Sequence, residues 1–177
     1  MKIIIISYSL TGNNEAVASS MAAELSAEHI KISETKPRTH FTIGIDMLFN
    51  RTPKVKVNPI VDKVEDNDFV IFVGPVWMGQ VAAPLRAYFK HLKARICQYA
   101  FVSISGGADG PNPKIAHELN KRLGKKPAAV IDLHIADLLP SDPKPTREDT
   151  SSYRINDEDV RSLTSKIVKS LKDAMEK

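Results

Sequence analysis

The sequence predicts an α/β domain in which one parallel β-sheet is covered by helices on both faces, the doubly wound arrangement. Residues 3–6 are four consecutive isoleucines, and residues 69–73 and 99–104 form two further, mostly apolar runs. A run without polar alternation is typical of a strand that is buried on both faces. Amphipathic segments with helical periodicity separate these runs, which indicates parallel strands joined by crossover helices. The chain, residues 1–177, fits one domain with a sizeable core.

The first part of the chain is predicted to contain two strands, a helix and an insertion. The β-branched isoleucines favour the first strand, and the hydroxyl, glycine and asparagine residues of segment 8–14 predict a loop after it. Apolar residues at a spacing of four then predict a helix over 13–27. Alternation predicts a second strand over 29–33. From 34 to 66 the pattern breaks down, and we expect an insertion that carries a short helix around 43–49.

The middle of the chain continues the alternation of strands and helices. Strand 69–73 precedes a helix with Pro84 in its first turn, a position that tolerates proline. Strand 99–104 precedes a helix that stops at Gly124, a natural C-terminal cap. A fifth strand is predicted over 128–133, which completes the sheet.

The C-terminal part is predicted to be a long loop followed by one helix. Residues 140–156 are polar, contain three prolines and show no apolar periodicity. Residues 157–175 then carry one apolar face. Asn156 is the expected N-cap of this helix, because its side chain can accept hydrogen bonds from the free N–H groups of the first turn.

The charge of the chain is mildly basic and evenly spread. Lys and Arg number 25 against 21 Asp and Glu, which gives a formal charge of +4 and a pI near 9.1. Without a dense basic run, this balance gives no reason to expect a nucleic acid or a membrane as partner. Four cations lie on or after the third helix, where they complement the helix dipole or form a partner patch: Arg86, Lys90, Lys93 and Arg95.

Cysteine and histidine usage excludes several kinds of site. Cys97 is the single cysteine, so an internal disulfide and a Cys-x-x-Cys motif are excluded, and we expect an inert buried thiol. The five histidines lack metal-ligand spacing and are expected at the surface, so no metal site is predicted. No catalytic Ser/His/Asp or Cys/His set can be assembled. The apolar run at the N-terminus is too short for a signal-peptide core, and we expect a reducing cytoplasm.

Three loops are predicted to form a ligand site at one edge of the sheet. In doubly wound sheets ligands bind beyond the carboxyl ends of the strands, and the loops 8–14, 74–79 and 105–111 leave those ends. All three are rich in glycine, hydroxyl or amide groups and poor in charge, and the second contains the only tryptophan of the chain. The first opens a helix, whose free N–H groups and dipole favour a phosphate. No Lys or Arg lies between Tyr8 and Glu28, so hydrogen bonds alone would hold that phosphate.

The first loop resembles the Ser/Thr-x-Thr-Gly-Asn-Thr phosphate loop of the flavodoxin family. It consists of Ser9, Leu10, Thr11, Gly12, Asn13 and Asn14, with asparagine in place of the last threonine. The second loop resembles the family's second flavin-contacting loop and comprises Pro75, Val76, Trp77, Met78 and Gly79 after Gly74. The third loop begins with Ser105, Gly106 and Gly107. The resemblance implies a flavodoxin-like fold with strand order 2-1-3-4-5 and a non-covalently bound FMN.

The resemblance also assigns roles to these loops. The first loop would bind the FMN phosphate through hydroxyls, amides and backbone N–H groups, with Gly12 permitting close backbone approach. Trp77 would cover one face of the isoalloxazine ring, while Met78 and Gly79 would lie near its redox-active nitrogen. Gly106 and Gly107 would lie near its pyrimidine edge. The third loop lacks the aromatic residue that many flavodoxins stack on the second face, so this face would be open or covered by segment 34–66 or Tyr153.

Three functions remain open on the sequence alone. The first, which the carrier-type phosphate loop favours, is an FMN protein that passes electrons between redox partner proteins. The second is an FMN-dependent NAD(P)H oxidoreductase acting on quinone-like or other small acceptors. The charge of +4 counts against the first function, because flavodoxin carriers are typically acidic. The third is a flavin-free interaction module with the same fold. In the first two, the cofactor supplies the electron chemistry and the protein binds and tunes it.

Overall fold

A computed structural model of the chain describes residues 1–34, 39–51, 64, 67–93 and 95–176. Its main sheet has five parallel strands, and a two-stranded antiparallel hairpin accompanies it. In chain order the strands are β1 (Ile3–Ser7), β2 (Glu28–Lys31), β3 (Phe69–Val73), β4 (Val76–Trp77), β5 (Gln80–Val81), β6 (Gln98–Ser105) and β7 (Ala129–His134). The order β2-β1-β3-β6-β7 in the main sheet is the predicted flavodoxin-like order 2-1-3-4-5, because β4 and β5 form the separate hairpin.

Strand register brings the three predicted loops to one edge of the sheet. Ser7 lies beside Val73, and Val73 lies beside Val102, so the carboxyl ends of β1, β3 and β6 are neighbours. Hydrogen bonds from Tyr8 N to Val73 O (2.9 Å) and from Gly74 N to Val102 O (3.0 Å) extend this pairing past the strand ends. The first two loops therefore begin at the same level along the strand direction, next to β6, which leads to the third loop.

The described helices cover both faces of the sheet, as predicted. They are α1 (Asn13–Leu25), α2 (His40–Leu48), α3 (Ala83–Leu92), α4 (Ile115–Leu123), α5 (Arg147–Ser152) and α6 (Asp157–Met175). Helices α1 and α6 pack with Ile5 and Ile71 on one face. Helices α3 and α4 pack with Ile4, Ile6 and Phe72 on the other. The alternation of neighbouring isoleucines between two cores is the period-two geometry of a strand buried on both sides.

Several local predictions are confirmed by the backbone. Asn156 caps α6 by accepting from the N–H groups of Glu158 (2.8 Å) and Asp159 (2.9 Å). Gly124 ends α4 in the left-handed conformation, with φ of 79°. Helix α2 lies where the insertion was predicted to carry one; the rest of the prediction for segment 34–66 falls largely outside the described residues.

One prediction about a loop and one about Cys97 are wrong. Segment 140–156 is not a continuous loop, because α5 forms within it through a reciprocal capping box between Thr146 and Asp149. The second loop contains β4, which pairs with β5 just beyond it, a hairpin that the sequence analysis did not predict. Cys97 is exposed rather than buried, because it lies in the turn before β6 and outside the strand.

Candidate functional site

The first loop presents an uncapped helix start to open space. Gly12 is the N-cap residue of α1, with φ of 94° and without a side-chain cap. A Cβ atom at this position would meet nothing within 4 Å. Ser9 Oγ accepts the N–H of Gly12 at 3.0 Å, Leu10 is 38% exposed at the loop tip, and Thr11 is half-buried. The donors here are backbone N–H groups and neutral hydroxyls, which suit a phosphate held by hydrogen bonds.

The side-chain amides of Asn13 and Asn14 bind protein backbone. Both residues are buried, and Asn14 donates to Ile104 O (2.8 Å) and accepts from Ile104 N (2.9 Å). Asn13 donates to Tyr153 O (3.0 Å) and accepts from Ile155 N (3.2 Å). The amides thus tie the first loop to β6 and to the segment before α6. Toward a ligand, these residues offer their backbone N–H groups.

The hairpin of β4 and β5 holds the tryptophan of the second loop. Its turn places Met78 and Gly79 at φ of 50° and 75°, and the Met78 side chain is 78% exposed. Trp77 is half-buried and meets the Tyr8 ring edge-on, with centroids 5.9 Å apart. Val76 is half-buried against the core, and buried Pro75 accepts a hydrogen bond from Ala82 N at 3.1 Å. Trp77 of the second loop is therefore in contact with Tyr8, the residue that begins the first loop.

A buried arginine that the sequence analysis misinterpreted fixes this hairpin. Arg86 lies in the first half of α3 with 1% of its surface exposed, so it neither forms an exposed patch nor complements the helix C-terminus. Its Nη1 donates to Gln80 Oε1 (3.0 Å) and Asn50 Oδ1 (2.9 Å). Its Nη2 donates to the carbonyl oxygens of Asp46 and Arg51, each at 3.1 Å. No local signal in the sequence indicated this burial, because Lys90 follows Arg86 at a spacing of four on the same face of the helix.

The third loop lies tightly against the end of β7. Gly107 has φ of 76°, and a Cβ atom there would lie 2.3 Å from the Cβ of His134. Gly106 O accepts from Ala136 N at 3.0 Å, and a Cβ on Gly106 would approach Thr150 Oγ1 to 3.0 Å. Ser105 Oγ donates to Asp132 at 3.4 Å. Glycine is required at 107 on two grounds, the backbone angle and the available space.

His134 is a residue of this region that the sequence analysis placed wrongly at the surface. Its side chain is 12% exposed, with Nε2 3.1 Å from Asp132 Oδ2 and Nδ1 3.8 Å from Asp137 Oδ2. Asn112 Nδ2 donates to the same Asp132 oxygen at 2.7 Å. The pattern Asp-x-His at the carboxyl end of the last strand was the available signal. Asp132 and His134 thus form a polar pair against which Gly107 of the third loop packs.

An ion pair joins the turn of the third loop to α5. Arg147 donates to both carboxylate oxygens of Asp109, through Nε at 2.9 Å and Nη2 at 3.0 Å. Hydrogen bonding to Arg147 lowers the pKa of Asp109 below its ordinary value. Both side chains are exposed, so the pair orients the loop more than it stabilises the fold.

The three predicted loops therefore meet at one edge. Tyr8 and Trp77 join the first loop to the second, and Asn14 and Ile104 join the first to the strand that carries the third. Neutral donors lie at the α1 end, and an aromatic ring and glycine turns lie beside them. Within the described residues, no cluster of three or more metal-ligating side chains was found. Nor does any described helix have the length and apolar character needed to cross a membrane.

Comparison with known proteins agrees with this geometry. The model of the family described as NADPH-dependent FMN reductase matches residues 1–113, more than half of the chain. No curated protein matches the chain. Among solved structures, a flavoprotein in complex with FMN from Lactobacillus acidophilus NCFM is 22% identical, with a TM-score of 0.62 over 74% of this chain and 92% of that one. The Trp repressor binding protein from Bacillus subtilis is 14% identical, with a TM-score of 0.51 over 88% and 100%. At these identities the two structures support the fold alone.

Proposed function

This chain belongs to the family of NADPH-dependent FMN reductases, and from that premise we propose that it is an enzyme that oxidises NADPH through an FMN bound at the three loops. It is an FMN-binding flavoprotein of flavodoxin-like fold that transfers electrons through a non-covalently bound flavin. The observation that carries the assignment of the site is the uncapped start of α1 at Gly12, in open space, joined through Tyr8 to Trp77.

Different residues bind the phosphate and the ring system of FMN in this proposal. The hydroxyl of Thr11 and the backbone N–H groups of the first α1 turn hold the phosphate, and the helix dipole adds to this grip. Ser9 stabilises the loop by accepting the Gly12 N–H. Trp77 covers one face of the ring system. When bound, FMN supplies the chemistry of accepting a hydride and releasing electrons.

Two features favour an enzyme with a small acceptor. The third loop contains no aromatic side chain from Ser105 to Pro111, which supports a second ring face that is open to a nicotinamide or a quinone-like molecule rather than one stacked by that loop. The basic balance of the chain, +4, suits the anionic NADPH. We propose that this activity takes place in the cytoplasm, because a single cysteine, which cannot form an internal disulfide, is typical of proteins in a reducing compartment.

A second candidate is an electron carrier that serves a redox partner protein. The Ser-x-Thr-Gly-Asn loop, which is of the carrier type, favours it. In that case a separate reductase delivers the electrons, and NADPH alone does not reduce the bound flavin.

Titration with FMN followed by anaerobic mixing with NADPH tests the proposal. Trp77 is the only tryptophan, so quenching of the protein's tryptophan fluorescence reports directly on ring binding beside it. We then expect NADPH to bleach the visible absorbance of the oxidised flavin, and a quinone to restore it. Binding without bleaching identifies the carrier. If FMN neither binds nor quenches, the chain acts as a flavin-free interaction module and the proposal fails.

A further inference from the structure

A cavity of about 950 Å³ lies between the β4–β5 hairpin and helices α3 and α4. One wall is the hairpin turn of Met78 and Gly79, so the cavity borders the turn at which the flavin ring is proposed to lie. Two of its lining residues are large apolar side chains that face solvent, Leu48 with 76% and Met78 with 78% of their surface exposed. Large apolar side chains that are exposed side by side are typical of a surface that binds another protein.

The charge around this cavity is positive. Its described lining includes one carboxylate, Glu118, which is paired with Arg122. Five Lys or Arg side chains line it, namely Arg86, Lys90, Lys114, Lys121 and Arg122. The two arginines donate to the side-chain oxygens of Asn50 and Gln80, so they belong to the protein's own hydrogen-bond network. The three lysines remain as the groups that a partner can contact.

These lysines carry charge that no carboxylate of the described residues compensates. All three are exposed, and none of them makes an ion pair within the described part of the chain. Lys114 directly precedes α4, and Lys121 lies on its second turn, about 10 Å further along the helix axis. We call the exposed apolar and basic side chains around the cavity the basic rim, which consists of Leu48, Met78, Lys90, Lys114 and Lys121.

The width and the chemistry of the basic rim fit a protein better than a small molecule. Its side chains are exposed, so a small ligand inside the cavity would leave most of their surface in water. A partner protein covers apolar and charged side chains together, with apolar contacts at the centre of the interface and polar ones around them. Three ammonium groups without an ion pair favour a partner that presents carboxylates to them, because complementary charge speeds and orients the encounter.

We propose that the basic rim is the docking surface for an acidic redox protein that exchanges electrons with the FMN bound beside it. This inference rests on the FMN site of the proposed function, but it does not depend on NADPH and holds for the enzyme and the carrier alike. The rim includes Met78 of the hairpin turn, so a partner docked there lies next to the proposed position of the ring. Its polarity is the reverse of that in typical flavodoxin carriers, which are acidic.

Stopped-flow reduction of two forms of cytochrome c tests the docking surface. Native cytochrome c is rich in lysine, and succinylation replaces its ammonium groups with carboxylates, so the two forms carry the same haem in proteins of opposite surface charge. The FMN-loaded protein is first reduced with one equivalent of dithionite, without NADPH. Each haem takes up one electron and passes from Fe(III) to Fe(II), so two cytochrome molecules oxidise one bound reduced FMN, whose protons pass to water.

We expect the succinylated form to be reduced at least about tenfold faster than the native form at low ionic strength, because opposite charges attract. The ratio of the two rate constants should fall as the ionic strength rises past about 0.1 M, where charges are screened beyond about 10 Å. The double variant Lys114→Ala/Lys121→Ala lowers the low-salt ratio about fivefold. The matched control Lys166→Ala/Lys169→Ala removes the same charge from exposed positions of α6, on the opposite face of the sheet, and retains most of the ratio. Equal tryptophan quenching by FMN shows that both variants are folded and loaded.

The outcomes separate the docking surface from the proposed function. If the native form is reduced as fast as the succinylated one, or if the two double variants lower the ratio equally, the inference is overturned. If the rates follow the expectation but NADPH does not reduce the flavin, the enzyme proposal fails and the docking surface stands. If FMN does not bind, the proposed function fails. Calorimetric titration of the FMN-free chain and the two double variants with succinylated cytochrome c then decides whether the basic rim binds an acidic protein.

Discussion

The side chain of Asn14 forms a closed pair of hydrogen bonds with the backbone of Ile104, 90 residues further along the chain. Its amide donates to the carbonyl oxygen and its amide oxygen accepts the N–H of the same residue, as a neighbouring strand would. The pair is buried, and it locks the first loop to the strand from which the third loop departs. One side chain thus connects the first loop, proposed to bind the phosphate, with the start of the third loop, proposed to lie near the pyrimidine edge of the flavin.

Replacing Asn14 with Ala is expected to destabilise the fold by about 2 kcal/mol, because it leaves a buried N–H and a buried carbonyl without partners. Urea unfolding measures the loss. Asn120→Ala, at a partly exposed position on α4, is the control and should change stability by less than about 0.5 kcal/mol. Equal effects of the two substitutions would contradict the role given to the Asn14 amide.

Gly107→Ala and Gly110→Ala form a matched pair for the third loop. Both glycines have positive φ, 76° and 91°, so alanine costs about 1 kcal/mol of backbone strain at each. A Cβ at 107 also collides with His134, whereas one at 110 meets nothing within 4 Å. We expect Gly107→Ala to lose about 1–3 kcal/mol more than Gly110→Ala. Thermal or urea unfolding of the two variants decides, and indistinguishable midpoints would count against the close packing.

Stability is expected to fall in mild acid through His29. Burial lowers the pKa of His29 from 6.5, the positive charge of Lys31 adds to this, and Glu15 opposes it. The folded state therefore favours the neutral ring, which is 2.7 Å from Ser7 Oγ. A depressed histidine pKa means that the stabilisation is fully present above the unfolded value and is lost as the pH falls below it.

The measurement is the free energy of unfolding between about pH 7.5 and pH 5.5. His29→Gln keeps a hydrogen-bonding group but cannot take up a proton, so its stability should depend less on pH than that of the unmodified chain. His91→Gln, on the exposed side of α3, is the control and should retain the original slope. A slope that survives His29→Gln would assign the acid sensitivity to another group.

Thr11→Val is expected to weaken FMN binding about tenfold, because it removes one hydroxyl from a site that lacks a positive side chain. Thr11→Ser keeps the hydroxyl and should bind FMN nearly as well as the unmodified chain. Fluorescence titration through Trp77 compares the three proteins. Unchanged affinity in Thr11→Val would remove Thr11 from the phosphate site.

Arg86→Met is expected to cost about 3 kcal/mol, since the carbonyl oxygens of Asp46 and Arg51 lose their side-chain donor in a partly buried position. The side-chain oxygens of Asn50 and Gln80 lose one of their two donors and keep Arg122. Arg86→Lys recovers only part of the loss, because one ammonium cannot reproduce the forked geometry of the guanidinium. Lys90→Met, one turn later on the exposed side of α3, is the stability control. Because Arg86 fixes Gln80 at the hairpin, we also expect weaker FMN quenching in Arg86→Met. A variant with normal quenching would limit Arg86 to a role in folding.

The sequence by itself determined the five-stranded sheet, the long helices beside it and the edge at which the loops meet, but not α5 or the β4–β5 hairpin. Consecutive isoleucines, helical spacing and the cap residues Gly124 and Asn156 act within a few positions of the chain, so a local pattern is enough to predict them. The order of these elements then restricts the topology, and parallel strands place their outgoing loops together.

Only the tertiary structure decided what the polar side chains of that edge do. Asn13 and Tyr153 are 140 residues apart, and Arg86 meets residues 35 to 40 positions before it. His134 lies against Gly107 because β6 and β7 are neighbours in the sheet. A buried polar group must find a partner wherever packing brings one, and no spacing within the sequence encodes that choice.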